Sequence, residues 1–214
     1  MSAEPQEVRQ KRRKEERPDE ILAAALTVFS KDGFAAARLD EIADRAGCTK
    51  GTIYVYFDSK EDLFKAVVRK LLVPQFRKVD HVLRDESLDT ATRIKLFVRG
   101  AYREIVDGTS HTAMMRLLIA DGPKFPELVE FYHAEIGRVG YELMQKTLEQ
   151  GVARGEIRPI ATDLVPEVIF GPIIAATVRR LLRGDLVRPV DIAQLIEVHL
   201  DILLRGLLVD PTKA

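Results

Sequence analysis

The 214-residue chain contains one cysteine, Cys48, and no tryptophan. A single thiol closes no disulfide within the chain and supplies no cysteine-based zinc site, so a reducing, cytoplasmic setting is the expectation. Long apolar runs are also missing; none approaches the ~20 residues that span a bilayer. The N-terminal stretch MSAEPQEVRQKRRKEERPDE is basic but lacks the apolar core of a secretory signal. There is no excess of either charge: 33 Lys and Arg stand against 33 Asp and Glu. The chain as a whole is therefore no polycation, and a nucleic-acid site must arise from local patterning. Strand signals are scarce, because β-branched residues rarely alternate with polar ones and no Asn-Gly turn occurs. His81, His111, His133 and His199 are dispersed, with no i,i+4 pair and no cysteine partner, which argues against a metal site. No Ser/His/Asp spacing, phosphate loop or acid pair stands out, so neither catalysis nor a cofactor is expected.

Helical periodicity fills the rest, and the expected fold is all-α with about nine helices. Residues 1–16 are charged and poor in apolar groups, which reads as a flexible basic tail. Its Arg9–Lys14 run is a solvated charge cluster first and an arm along DNA second. From Pro18 a helix begins with Asp19 and Glu20 in the first turn, carries Ile21, Leu22, Ala25, Val28 and Phe29 on one face, and stops at Gly33. Leu39, Ile42, Ala43 and Ala46 mark a short second helix, ended by Gly47. Thr49 caps a third, of about two turns, ending near Tyr56. Ser59 with Asp62 resembles a capping box and opens a fourth, with a bend or end expected at Pro74. Longer helices follow near 88–107, 110–120, 125–153, 163–183 and 190–208, with Pro172 expected to kink its helix.

The segment GCTKGTIYVYFDSKEDLF, Gly47 to Phe64, carries more hydroxyls and rings than a connection between helices needs. A short helix, a glycine turn and a second short helix form a helix-turn-helix, in which the second helix enters the major groove of DNA. Thr49, Lys50 and Thr52 cluster where the helix dipole favours phosphate, and Gly51 lets a backbone approach closely. Tyr54 and Tyr56 offer a ring and a hydroxyl, and Lys60 a cation for another phosphate. Phe57 and Phe64 read as core.

The stretch GFAAARLDEIADRAGCTKGTIYVYFDSKEDLF resembles the DNA-binding domain of the TetR family of transcriptional regulators. That resemblance spans about a quarter of the chain. It implies a DNA-binding head over residues 17–72, a helical effector-binding and dimerisation body over 73–214, and a homodimer. It places Arg38, Thr49, Lys50, Gly51, Thr52, Tyr54, Tyr56 and Lys60 on positions that commonly touch DNA. The chain departs from the pattern at Ala37, where Thr or Ser is usual. Ala37 cannot cap the second helix, and Arg38 is the remaining candidate for that phosphate. Cys48 replaces an aliphatic residue and reads as a small buried hydrophobe.

In the body, Phe97, Tyr102, Met114, Met115, Leu118, Phe131, Tyr132 and Phe170 are the candidates for an apolar effector cavity with a few polar handles. The stripes of the last two helices exceed what one subunit needs. Val178, Leu182, Ile196, Leu200, Leu203 and Leu207 are therefore expected at a two-fold interface of four helices. The function implied is a ligand-responsive regulator, a repressor released from a palindromic DNA operator by a small apolar or amphipathic molecule. The alternative is a helical small-molecule carrier without a DNA-binding role.

Overall fold

The computed structural model describes residues 6–182 and 190–209, apart from the side chains of residues 6–16, Asp107 and Thr109. The elements in order are α1 (Gln6–Ala36), α2 (Leu39–Arg45), α3 (Lys50–Tyr56), α4 (Lys60–Val67), α5 (Val73–Arg84), α6 (Thr90–Ala101), α7 (Thr109–Asp121), α8 (Pro126–Tyr132), α9 (Arg138–Ala153), α10 (Val165–Leu182) and α11 (Ile192–Leu207). Three π-helical turns extend or join them: Val68–Leu72 links α4 to α5, Tyr102–Asp107 prolongs α6, and His133–Gly137 links α8 to α9. Nine separate rods result among the described residues. No strand occurs among them beyond one isolated bridge, Ile157 to Leu208, which ties the loop after α9 to the end of α11.

The caps match the sequence. Thr49 accepts the N–H of Thr52, and Ser59 accepts that of Asp62. Arg38 stands at the N-cap of α2 and gives no side-chain cap, while Ala37, expected to be the missing cap, lies one residue before it. Two expectations change. Residues 6–16, read as a flexible tail, carry helical backbone continuous with α1; their Lys, Arg, Glu and Gln are good helix formers, and the helix they extend is anchored downstream. The Arg9–Lys14 side chains lie outside the described residues. Pro74 does not end its helix. The wide turn at Val68–Leu72 comes just before it and absorbs the missing N–H, so that Val73–Arg84 continues as α5. Pro172 lies within α10.

The core has two parts. One packs Ile21, Ala25, Val28 and Phe29 of α1 against Ile42, Ile53, Leu63 and Phe64, and it reaches on into Met114, Leu117 and Leu118 of α7. The other joins α5, α6, α9, α10 and α11 around Leu83, Phe97, Leu148, Ile169 and Leu203. A buried Arg93 pegs that second core. Its guanidinium donates to the Leu83 carbonyl, to Thr147 Oγ1 at 3.3 Å and to Gln150 Oε1 at 3.1 Å.

Gly33 breaks α1 at φ 80°, ψ 167°, a conformation open to glycine almost alone. The freed N–H of Phe34 donates to the buried carboxylate of Asp121, at the end of α7. Lys60 reaches into the same corner. Its ammonium donates to the carbonyls of Phe34, Ala35 and Ala37 at 2.7, 3.2 and 3.3 Å and lies 4.6 Å from the Phe34 ring centroid.

Candidate functional site

Helix α3 buries Ile53 against the first core and turns most of its surface outward: Tyr54 is 49% exposed and Val55 76%. Thr49, Lys50 and Gly51 are exposed beside them, and Thr52 is half-buried. Thr49 Oγ1 also lies 2.9 Å from Thr52 Oγ1, so the two hydroxyls form one small patch at the start of α3. Lys50 bridges to Asp40 of α2 at 3.1 Å, with Arg38 at 4.0 Å on the same carboxylate. This links α2 to α3 at the surface, with both cations still solvent-facing. Tyr56 is half-buried and packs beside Phe57, on the edge of the core.

Lys60 is the correction in this set. The three carbonyls at the end of α1 hold its ammonium, so its charge neutralises the negative end of that helix rather than facing outward. The sequence places it rightly at the start of α4 but cannot show that α1 ends against it. Val55 is the residue that sequence reading missed. It is apolar, it lies on the exposed face of α3, and its place four residues after Gly51 was the available signal. Cys48 packs half-buried against the core, and burial pushes its thiol pKa up.

In the body a cavity of about 430 Å³ opens between α5, α7, α9 and α10. Of the eight residues expected there, it takes in Met115, Tyr132 and Phe170. The other five are placed elsewhere. Met114 and Leu118 belong to the core shared with α1, because they lie on the adjacent face of α7. Phe97 is sealed in the second core, edge-on to Phe170 at 5.6 Å. Tyr102 is buried and its hydroxyl lies 3.2 Å from His199 Nδ1. Phe131 faces the N-terminal bundle, under the guanidinium of Arg69 at 4.8 Å. Periodicity alone cannot tell a wall of a cavity from a filled core.

The lining around Tyr132 has a signature, of which Ile136, Gly137 and Gly140 were missed. Tyr132, Ile136 and Gly140 recur every fourth position, with Gly137 and Tyr141 beside them, and all five line the cavity. Glycines inside a helical pattern were the signal. A Cβ at Gly140 would come within 2.8 Å of the Phe76 ring. Two of the π-helical turns also contribute, through Ile105 and through His133, Ile136 and Gly137. Such widened turns recur at functional sites. Tyr141 stacks on Phe170 with centroids 4.6 Å apart and donates to Glu167 Oε2 at 3.2 Å. Burial pushes the Tyr132 and Tyr141 hydroxyls up to about 12, with Glu167 adding to the second, so both are neutral donors near pH 7. A larger groove of about 1000 Å³ runs along α6 and α11, but its charged walls pair with one another, as in Arg99 to Glu197 at 2.8 Å. It offers little surface on which to desolvate a ligand.

The interface expectation divides. Leu200, Leu203 and Leu207 are buried inside their own subunit, because the clean stripe of α11 faces the second core. Val178 and Ile196 are half-buried, and Leu182 is exposed. The solvent face of the same two helices carries Val168, Ile174, Leu182, Val198 and Ile202. No helix of the described residues is long and apolar enough to cross a membrane, and no cluster of three metal-ligating side chains occurs among them.

Comparison with known proteins agrees with this geometry. Residues 21–67 match the model of bacterial regulatory proteins of the tetR family, and residues 86–199 match the tetracyclin repressor-like C-terminal domain. The HTH-type transcriptional repressor KstR2 of Rhodococcus jostii (strain RHA1) is 31% identical over 72% of this chain and 72% of that protein. Among solved structures, a TetR-family transcriptional regulator of Mesorhizobium loti MAFF303099 superposes with a TM-score of 0.75 at 21% identity, covering 92% of this chain and 99% of that one. FadR of Bacillus subtilis, in complex with stearoyl-CoA, superposes with a TM-score of 0.62 at 19% identity, covering 87% and 97%. The chain belongs to the TetR family of bacterial transcriptional regulators.

Proposed function

We propose that the protein is a homodimeric repressor that binds a roughly palindromic DNA operator through α3 and is released when a small, largely apolar molecule fills the cavity beside Tyr141 and Phe170. The observation that carries the reading is the outward face of α3. A helix of seven residues that buries only Ile53 and leaves Tyr54 and Val55 exposed is built to meet another surface. Thr49, Lys50, Thr52 and Arg38 supply phosphate and base-edge donors around them, and Val55 an apolar contact for a thymine methyl. Residues up to about 72 act as the DNA-binding head and the remainder as the effector-binding and dimerisation body. The dimer forms through the exposed apolar face of α10 and α11. The chain's resemblance to KstR2, named a repressor, supports the repressor reading.

The effector acts by population shift, favouring the arrangement of heads that misfits the operator to the extent that it binds that arrangement more tightly. Binding of the purified protein to the DNA flanking its own gene and to a genomic library, at two salt concentrations, tests the reading. Selective affinity that weakens with salt and is lost in Tyr54→Ala supports it. Weak, nonselective binding across the whole library refutes it.

A further inference from the structure

The walls and charges of the cavity beside Tyr141 set the chemistry of what it accepts. We propose that it selects a planar, largely apolar molecule carrying a positive charge or an N–H donor, and discriminates against fatty carboxylates and coenzyme A thioesters. This rests on the reading of that cavity as the effector site.

The shape comes first. Tyr141 and Phe170 lie stacked, 18° from parallel, and present flat aromatic surface. Gly140 lets the Phe76 and Phe170 rings close on α9, where a Cβ would stand 2.8 Å and 3.6 Å from them. Gly137 makes the same allowance for the His133 ring. Rings occupy the space at both glycines, and the cavity opens beside them. About 430 Å³ is room for a drug-sized molecule.

Charge decides the polarity. The ionised groups lining the cavity are Arg138, Glu142 and Glu167. Arg138 lies 3.9 Å from Glu142 and has that carboxylate as its partner. Glu167 has the Tyr141 hydroxyl as a hydrogen-bond donor and no ammonium or guanidinium beside it among the described residues. A carboxylate or phosphate entering here would meet the negative charge of Glu167, which has no cation beside it among the described residues. A cation would meet Glu167 and the faces of two aromatic rings together. The stearoyl-CoA of Bacillus subtilis FadR is a polyanion, so this chain departs from that relative in its ligand while sharing its fold.

Acridine orange, a planar fluorescent cation, is the probe, titrated into the full-length protein at pH 7.5 and followed by anisotropy. Palmitate and stearoyl-CoA serve as competitors. The expected result is saturable binding that Glu167→Gln weakens about tenfold, while Tyr141→Phe, which keeps the ring, changes it far less. Glu167 is exposed, so the glutamine variant keeps its fold, and its melting temperature checks this. Absence of acridine orange binding, unchanged affinity in Glu167→Gln, or displacement by palmitate or stearoyl-CoA at lower concentration than the dye overturns the proposal. Operator binding measured on the same samples separates the two readings. Selective DNA binding with failure of the dye sinks only the effector class, whereas loss of selective DNA binding sinks the regulator itself.

Discussion

Replacing Gly33 with alanine tests the joint between the N-terminal bundle and the body. Two penalties are expected. The backbone at φ 80°, ψ 167° costs a residue with a Cβ about 1–3 kcal/mol. The new methyl would also stand 2.6 Å from Asp121 Oδ2, the oxygen that accepts the Phe34 N–H. Pushing that carboxylate aside orphans a buried donor, at about 1–3 kcal/mol more. The two parts separate in a double-mutant cycle. In an Asp121→Ala background the oxygen is already gone, so Gly33→Ala retains only the backbone penalty. The interaction energy between the positions is then about 1–3 kcal/mol. Urea denaturation followed by circular dichroism measures it, with all four proteins at one protomer concentration because a dimer's stability depends on it. If Gly33→Ala costs the same in both backgrounds, to within about 0.5 kcal/mol, Asp121 does not clasp α1 and the reasoning fails.

Other expectations follow from the same geometry. Thr49→Ala removes the cap of α3 and lowers stability by about 1 kcal/mol, with a fall in operator affinity readable by anisotropy. Lys60→Met destabilises the fold by about 1–3 kcal/mol and leaves the salt dependence of DNA binding unchanged; a shallower salt slope would return Lys60 to the phosphate contacts. Ile202→Asp yields monomers in sedimentation equilibrium, whereas Leu203→Ala lowers subunit stability by about 2–5 kcal/mol. His111 is buried in α7 with neither ring nitrogen partnered among the described residues, and burial lowers its pKa to about 4. Below the unfolded value near 6.5 the unfolded chain takes up a proton that the folded one refuses. Stability therefore falls as pH drops from about 6.5 to 4, by roughly 3 kcal/mol. In His111→Leu that part of the pH profile is absent in denaturation series at pH 7, 5.5 and 4.

Local signals were legible wherever they were local. Thr49 and Ser59 cap their helices, Gly33 and Gly47 take positive φ, and the fold is all-α, because caps, breakers and period 3.6 act within a few residues. What escaped depends on partners far along the chain. Lys60 looks like a surface cation until the end of α1, some 25 residues earlier, is seen to lie against it. Leu200, Leu203 and Leu207 look like an interface because a stripe records only that a face is covered, not by which chain covers it. The cavity is the extreme case. Rings from α5 and α10 close on Gly140, and a sequence shows the glycine but not which rings meet it.

The arrangement of α7 gives the proposed repressor a physical route from cavity to DNA. Met115 lines the cavity, while Met114, Leu117 and Leu118 on the adjoining face are packed into the core shared with α1 and α4. One helix thus touches the cavity and the core built on α1, and it ends at Asp121, whose carboxylate holds the N–H of Phe34. Close-packed side chains do not compress, so a shift of α7 by an occupant is passed on rather than absorbed. α1 carries the core on which Ile53, and with it α3, is seated. The direction of transmission is fixed by the same facts. Lys60 and Asp121 both grip the segment just after the break at Gly33, one from α4 and one from α7, so motion of α7 pulls on the segment that leads directly into α2. Pro74 and Pro172, the obvious hinges in the sequence, lie within α5 and α10. The break in α1 is at Gly33, where the backbone leaves the helical region and a buried carboxylate decides how it is held.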